Sequence, residues 1–380
     1  MSSLSSHAAR SEEEIEQPDP TAALRSKIRR AVMLARAGHL HRAAQTIERP
    51  PLPQLTNERI AHLLSLFPPR SKDPVLPNTD TCVTPVVEPA MLRKLIVVHD
   101  QGKSPGPSCL TLAHLRSITS DADCCAGLAA MVQDVVDGNL TPAAADIICR
   151  GVSIGTDKGP MQVRPLTMPE SIYKLAALFC LNSMDYAIPT LFPRIQLGVG
   201  IKGGPEIAIH RTQLALERGG PGTVVLRTDF RNAFNERDRA IIARALHGAP
   251  LTSGLWRFFM MAYGRRASHL GIYNRGQLIE HFLNSQGVRQ GCPLASFLYA
   301  LSVQPLYEQC VEGLSDVEAY AVADDLTLVG PARSVLAAAR LSYPRLPVLR
   351  STCTSARLCG RTAPTMNHTT SSPTQCKSMV

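Results

Sequence analysis

Two apolar runs in this 380-residue chain stop on carboxylates, and they constrain the fold more than any other feature. The first is Val224-Val225-Leu226-Arg227-Thr228-Asp229, a β-prone stretch that ends on an aspartate and leads through a turn into an amphipathic helix from about Asn235 to Leu246. The second runs from Val317 to Gly330 and reads as strand, acidic turn (Asp324-Asp325), strand. An aspartate at the end of a buried strand is well placed to enter a cleft, although a lone one is more simply a turn or helix-capping residue. Asp-Asp between apolar strands likewise suits a hairpin turn. But adjacent carboxylates with apolar flanks repel one another at a cost that a divalent cation relieves. Three carboxylates on two neighbouring strands suit two Mg²⁺ ions about 3.5–4 Å apart, the arrangement used in phosphoryl transfer.

Between these runs lies Gly287-Val288-Arg289-Gln290-Gly291-Cys292-Pro293-Leu294. Gly291 permits close backbone approach, and Pro293 fits the first turn of a helix that runs to about Glu312 and stops at Gly313. Such a junction lines a nucleotide pocket or is an ordinary loop-to-helix turn. Upstream, periodicity predicts helices over Thr111–Ser117, Ala126–Asp137, Pro142–Cys149 and Glu170–Met184, with a hairpin turn at Gly159–Arg164. Gly102-Lys103-Ser104 superficially matches a phosphate-binding loop but lacks its first glycine and an entering strand.

The N-terminal part is organised differently. Residues 1–20 are acidic and polar and are expected to be disordered, and 21–48 form a helical hairpin. Arg25, Lys27, Arg29, Arg30 and Arg36 on that hairpin favour a solvated basic face over a nucleic-acid-binding one. Residues 49–90 are a Pro-rich connector with one helix at Asn57–Leu66, expected to pack on something else.

Composition narrows the class. With 44% hydrophobic and 19% charged residues most of the chain can bury a core. The formal charge is +9, but residues 331–380 hold seven basic residues and no acid, so the other 330 residues carry 33 basic and 31 acidic groups. The apolar stretches Ile172–Leu181 and Leu294–Val303 are too short for a bilayer, which needs about 20 apolar residues. The N-terminus fits neither a transit nor a secretory signal. The 11 Cys show no Cys-x-x-Cys spacing, so the expectation is a reduced intracellular protein without a zinc module.

Taken together the motifs are familiar. Asp229-Phe230-Arg231-Asn232-Ala233-Phe234, Arg289-Gln290-Gly291-Cys292-Pro293-Leu294 and Ala323-Asp324-Asp325 resemble motifs A, B and C of reverse transcriptases, most closely those of non-LTR (LINE-type) retrotransposons. Gly102–Pro107, Val163–Leu166 with Tyr173-Lys174, and Gly198–Gly204 resemble the family's preceding blocks, so the likeness covers about residues 91–330. It implies an α+β right-hand polymerase. Residues 91–222 would form fingers and part of the palm, and residues 223–330 the palm, a ferredoxin-like sheet with helices on one face. Asp229 and Asp324 would ligate two Mg²⁺ ions (or Mn²⁺), with Asp325 assisting. Arg164, and more weakly Lys158, would contact the incoming triphosphate. Phe230, Gln290 and Gly291 would border the dNTP, and Phe234 would crowd the sugar 2′ carbon. The implied function is RNA-directed DNA synthesis on an RNA template from a DNA primer, with residence in the nucleus, no membrane and no partner protein specified.

Two departures stand out. Val322 occupies the place where the family has an aromatic residue, two positions before the Asp pair. After a brief helix at Pro331–Leu341 the chain turns to Ser, Thr, Pro, Arg and Cys without apolar periodicity. That tail is expected to be disordered, as a frameshifted or spurious end would be, and the family's thumb is missing from it. The alternatives are a non-catalytic nucleic-acid-binding remnant, an RNA-dependent RNA polymerase and a group II intron maturase-like enzyme.

Overall fold

A computed structural model describes residues 20–36, 38, 40–48, 55–99, 104–159, 161–230, 232–264, 267–274, 277–345, 353–360 and 376–379. The acidic N-terminus expected over 1–20 lies outside them except for Pro20, as does the Gly102-Lys103 part of the glycine-rich loop. The chain divides into two units, Met1–Leu52 and Pro53–Val380. The first is a pair of helices, α1 (Pro20–Arg36) and α2 (Leu40–Glu48), closed on a small core of Ala31, Leu34 and Ala43. Gly38 between them has φ +82°, a conformation glycine adopts without steric cost.

The second unit opens with α3 (Asn57–Ser65), α4 (Pro89–His99), α5 (Leu112–Ile118), α6 (Ala122–Val136) and α7 (Pro142–Ile148). Their starts follow local chemistry. Thr56, Thr111, Asp121 and Thr141 each accept a backbone N–H of the first helical turn, and Pro142 occupies a position whose N–H needs no partner. A hairpin of β1 (Gly151–Gly159) and β2 (Gln162–Pro169) follows, then α8 (Ser171–Asn182), the short α9 (Ile188–Leu191) and α10 (Gly204–Arg218). Next come β3 (Thr223–Phe230), α11 (Ala233–Glu236), α12 (Arg239–His247), α13 (Trp256–Tyr263) and the hairpin β4 (Ser268–Asn274) and β5 (Gln277–Asn284). The last stretch comprises α14 (Ala295–Val311), β6 (Glu318–Val322), β7 (Asp325–Pro331), α15 (Ala332–Arg345), β8 (Cys353–Gly360) and β9 (Cys376–Met379).

The strands form two sheets, ordered β2-β1-β4-β5 and β6-β7-β3-β8-β9. In the first, β4 runs parallel to β1. The hairpin 268–284, which follows the first aspartate strand in sequence, therefore completes a sheet begun by 151–169. The second sheet is antiparallel throughout, and its path β3, helices, β6, β7, α15, β8 is the β-α-β-β-α-β connectivity of the split βαβ motif. Its helices do not all lie on one face, as the sequence led us to expect. Alternation divides β3 and β7 between two cores. Val224, Leu226, Leu326 and Leu328 join the main core with α14 and α15. Val225, Val329 and Tyr320 pack instead with Ile207, Ala208, Ala215 and Leu216 of α10. A second helical layer therefore covers the opposite face, because α10 spaces its apolar residues for a sheet rather than for solvent.

The tail also differs from expectation. α15 extends to Arg345, with Val335, Ala338 and Ala339 buried. The backbones of 353–360 and 376–379 are strands, β8 pairing along β3. A central strand with an open edge offers backbone donors and acceptors that any composition can meet. The rest of the tail lies outside the described residues.

Candidate active site

β3 and β7 pair through Thr228↔Leu326, so the next residue of β3, Asp229, falls level with the β6–β7 turn that carries Asp324 and Asp325. The Asp229 side chain lies outside what is described; its backbone position is fixed by that register and by the bond from Thr228 Oγ1 to the Leu326 carbonyl at 3.2 Å.

The turn itself is tightly held. Ala323 has φ +56°, in the left-handed region that disfavours a Cβ. The fully buried Gln196 clamps it. Gln196 Oε1 accepts from the Ala323 and Gly198 backbone N–H groups, both at 2.9 Å, and its Nε2 donates to the Ala323 carbonyl at 3.2 Å. Leu197 N–H donates to Ala321 O at 2.7 Å and Ala321 N–H to Ile195 O at 2.8 Å, so residues 195–197 line the outer edge of β6. Gly198 allows this approach, since a Cβ there would stand 2.5 Å from the Ala323 nitrogen. Gln196 was not legible as a functional residue: the motif nearby begins at Gly198, and its partner is 127 residues away.

Beside this turn a cleft of about 710 Å³ is lined by Asp324, Asp325, Lys158, Arg164, Phe230, Phe234 and Gln290, together with His62, Leu66, Gln162, Val163, Pro165, Asn232 and Ala233. Seven of the nine residues singled out from the sequence thus meet in one place. Asp229 is its neighbour by register. Gly291 does not line it; its φ is +125° and a Cβ there would stand 1.9 Å from the Thr167 carbonyl oxygen, so it lets the Gln290 turn lie flat on β2. Thr167 N–H donates to Gln290 O at 2.6 Å. A larger cleft of about 1800 Å³ opens elsewhere, between α10, the end of α14 and Asp316–Tyr320, and contains none of these residues.

The two walls of the smaller cleft differ in charge. Lys158 and Arg164, both exposed, come from the β1–β2 hairpin; Asp324 and Asp325 come from the β6–β7 turn. Phe234 stacks on Tyr299 of α14, ring centroids 4.8 Å apart at 20°, so its ring is held from behind. Phe230 borders the cleft but belongs mostly to the core. Burial raises the Tyr299 and Tyr307 phenols above their ordinary values; the nearby Asp324 charge adds to this and Arg237 opposes it. Both phenols therefore stay neutral beneath the carboxylates.

The Gln290 turn rests on two buried guanidinium groups. Arg289 donates to Cys149 O at 2.7 Å and stacks over Tyr173 and Tyr263, 4.4 and 5.0 Å from their centroids. Burial opposes the Arg289 charge, but Tyr173 and Tyr263 outweigh it, holding its pKa above the usual value. Arg239 donates to the carbonyl oxygens of Gly287 at 2.9 Å and Asn284 at 3.3 Å, and to Asn284 Oδ1 at 3.1 Å. Arg289 is thus a framework residue, although it begins the sequence motif.

Among the described side chains no three His, Cys, Asp or Glu groups converge as a metal cluster; Asp324 and Asp325 are a pair. As hard oxygen donors on a half-buried turn, with the Asp229 backbone level with them, they fit a hard divalent cation. No helix among the described residues is long and apolar enough to cross a membrane.

No protein-family model matches the chain. Over 232 residues it is 25% identical to the Retrotransposable element SLACS 132 kDa protein of Trypanosoma brucei gambiense. The alignment covers 61% of this chain but 19% of that protein, so the chain spans about a fifth of its relative's length. This likeness relates the chain to a retrotransposon protein.

Proposed function

We propose that the chain carries the fingers and palm of an RNA-directed DNA polymerase, with the 710 Å³ cleft as its nucleotide site. The observation that carries this reading is the convergence itself. Basic residues of one hairpin, carboxylates of another, the Phe234 ring and the Gln290 amide come from segments up to 167 positions apart, yet they line one cleft. The similarity to a retrotransposable-element protein supports it, as does the turn that carries the carboxylate pair, held by the Gln196 side chain.

In this reading the primer 3′ oxygen attacks the α-phosphorus of a bound dNTP. The new P–O bond forms as the bond to the β-phosphate oxygen breaks, pyrophosphate leaves, and the 3′-hydroxyl proton is lost to solvent. Asp324 and Asp229 would hold divalent cations, Mg²⁺ or Mn²⁺, with Asp325 assisting. Such cations, when bound, make the 3′ oxygen more acidic and neutralise charge on the leaving pyrophosphate. Arg164 and Lys158 hold the triphosphate, with Arg164 suited to two parallel bonds. Gln290 borders base and template. Phe234, backed by Tyr299, occupies the space of a 2′-hydroxyl, which favours deoxyribonucleotides over the substrates of an RNA polymerase. Nuclear residence goes with the retrotransposon reading.

The test is primer extension by the full chain on primed RNA with dNTPs and Mg²⁺. Extension should be lost on chelation and fall about 100- to 1,000-fold in Asp324→Asn, the scale of a removed charge-stabilising group. Equal extension by Asp324→Asn would sink the mechanism.

A further inference from the structure

α3 lies upstream of the stretch that resembles reverse transcriptases, inside what reads as a connector. The structure gives it three attachments to the cleft. Leu63 and Leu66 are buried with Val163 and Ile272. The Leu66 carbonyl accepts from Asn232 Nδ2 at 2.9 Å and from Asn235 Nδ2 at 3.1 Å, the turn after Asp229. Arg59 pairs with Asp157 of β1 at 3.5 Å. The helix therefore spans from the basic hairpin to the first carboxylate strand.

Its residue in the cleft is His62. His62 Nδ1 accepts the Val163 backbone N–H at 3.3 Å. A backbone N–H can only donate, so Nδ1 carries no proton and the neutral ring bears it on Nε2. Nε2–H is the donor left over, on a half-buried side chain that lines the same cleft as Lys158 and Arg164. We propose that His62 contacts the triphosphate of the incoming nucleotide, donating Nε2–H to a non-bridging phosphate oxygen beside Arg164. This rests on the polymerase reading of the cleft. It makes α3 a wall of the nucleotide site and the residues around it part of the enzyme rather than a spacer.

A purely structural His62 would only hold Val163. Two substitutions separate the roles. His62→Asn keeps an acceptor near the Nδ1 position but has no donor at the outer end, whereas His62→Gln restores an N–H there. The full chain is assayed for dTTP incorporation on oligo(dT)-primed poly(rA), and for Mg²⁺–dTTP binding by calorimetry. We expect His62→Asn to raise the KM for dTTP about tenfold, the size of one hydrogen bond to a charged group. The calorimetric Kd should weaken in parallel, with KM for primer–template and Tm unchanged, and His62→Gln should recover part of the loss. Unchanged dTTP KM and Kd in His62→Asn would overturn the contact and leave His62 structural. Wild-type chain that binds dTTP, with weaker binding in His62→Asn, but extends no primer would keep the contact and reject the polymerase reading. Wild-type chain that binds no dTTP would overturn both.

Discussion

Ala323 occupies a backbone conformation that costs an alanine about 1–2 kcal/mol, and it does so one residue before the carboxylate pair. What holds it there is Gln196, with an acceptor for two N–H groups and a donor for one carbonyl. Removing the amide takes away three hydrogen bonds to part-buried backbone groups, each worth about 0.5–1.5 kcal/mol. Gln196→Leu should therefore lower kcat for primer extension about 100-fold with little change in dNTP KM, because a misplaced cation site affects chemistry more than binding. Gln196→Glu, which keeps the acceptor, should recover much of kcat; equal loss in both variants would show that the two accepted bonds do not position the turn. Phe234 makes a second residue-scale prediction. Its ring is fixed against Tyr299, so Phe234→Ala opens space rather than letting the wall relax. Preference for dNTPs over rNTPs, measured as the ratio of kcat/KM values, should fall about 100-fold, since steric discrimination of this kind is worth about 1–3 kcal/mol. At this scale the sequence was most informative where chemistry was unusual for its surroundings. Adjacent aspartates between apolar strands are costly unless used, and they do line the cleft. Gln196 and His62 carried no such signal, because a buried glutamine and a histidine after an apolar pair look like any others until their partners are known.

At the scale of elements, what was legible followed local rules. α3, α5, α6, α7 and α8 lie within a few residues of their expected spans, and the strand, turn, strand around Asp324 lies where alternation placed it. The helix expected over Asn235–Leu246 is two helices, α11 and α12, because Asp238 caps a new start through Ala240 N–H at 2.7 Å. α10 and the β4–β5 hairpin escaped notice. α10 gathers its apolar residues at its two ends, Ile207–Ile209 and Leu214–Leu216, around a polar middle, and only its sheet partner reveals its buried side. β5 leaves Leu278, Ile279 and Leu283 exposed, so its pattern lacks the alternation of a half-buried strand. The Gln290 turn touches β2 at Gly291. Gly291→Ala places a Cβ 1.9 Å from Thr167 O at φ +125°. Backbone or strand must then move, with a loss of about 1–3 kcal/mol in thermal or denaturant unfolding. Because Gln290 moves with it, dNTP KM should rise as well. A fully stable Gly291→Ala would mean that the turn does not press on β2.

Over the whole molecule, charge and chemistry are separated. The +9 balance comes mostly from seven basic residues after position 330, while the cleft joins two basic side chains to acidic ones. A cleft of that composition holds a nucleotide with its cations but gives little long-range attraction for a polyanion, and the tail is the natural source of it. Deleting everything from Pro331 would be a poor way to show this. It removes α15, whose Val335, Ala338 and Ala339 complete the core over β3 and β7, so lost affinity would be indistinguishable from unfolding. Charge replacement avoids the difficulty. Arg350, Arg357, Arg361 and Lys377 all follow α15, and changing them to Gln keeps α15 and its buried residues. Each phosphate contact to a single strand contributes about 0.7 to the slope of log affinity against log salt, so losing all four should flatten the slope for single-stranded RNA by about 3. The same variant should still extend a primer at low salt and still depend on Asp324, since no residue of the cleft has changed. An unaltered slope would place the phosphate contacts on the body of the protein. A flattened slope with extension abolished at every salt concentration would make the tail part of the catalytic apparatus rather than an electrostatic tether.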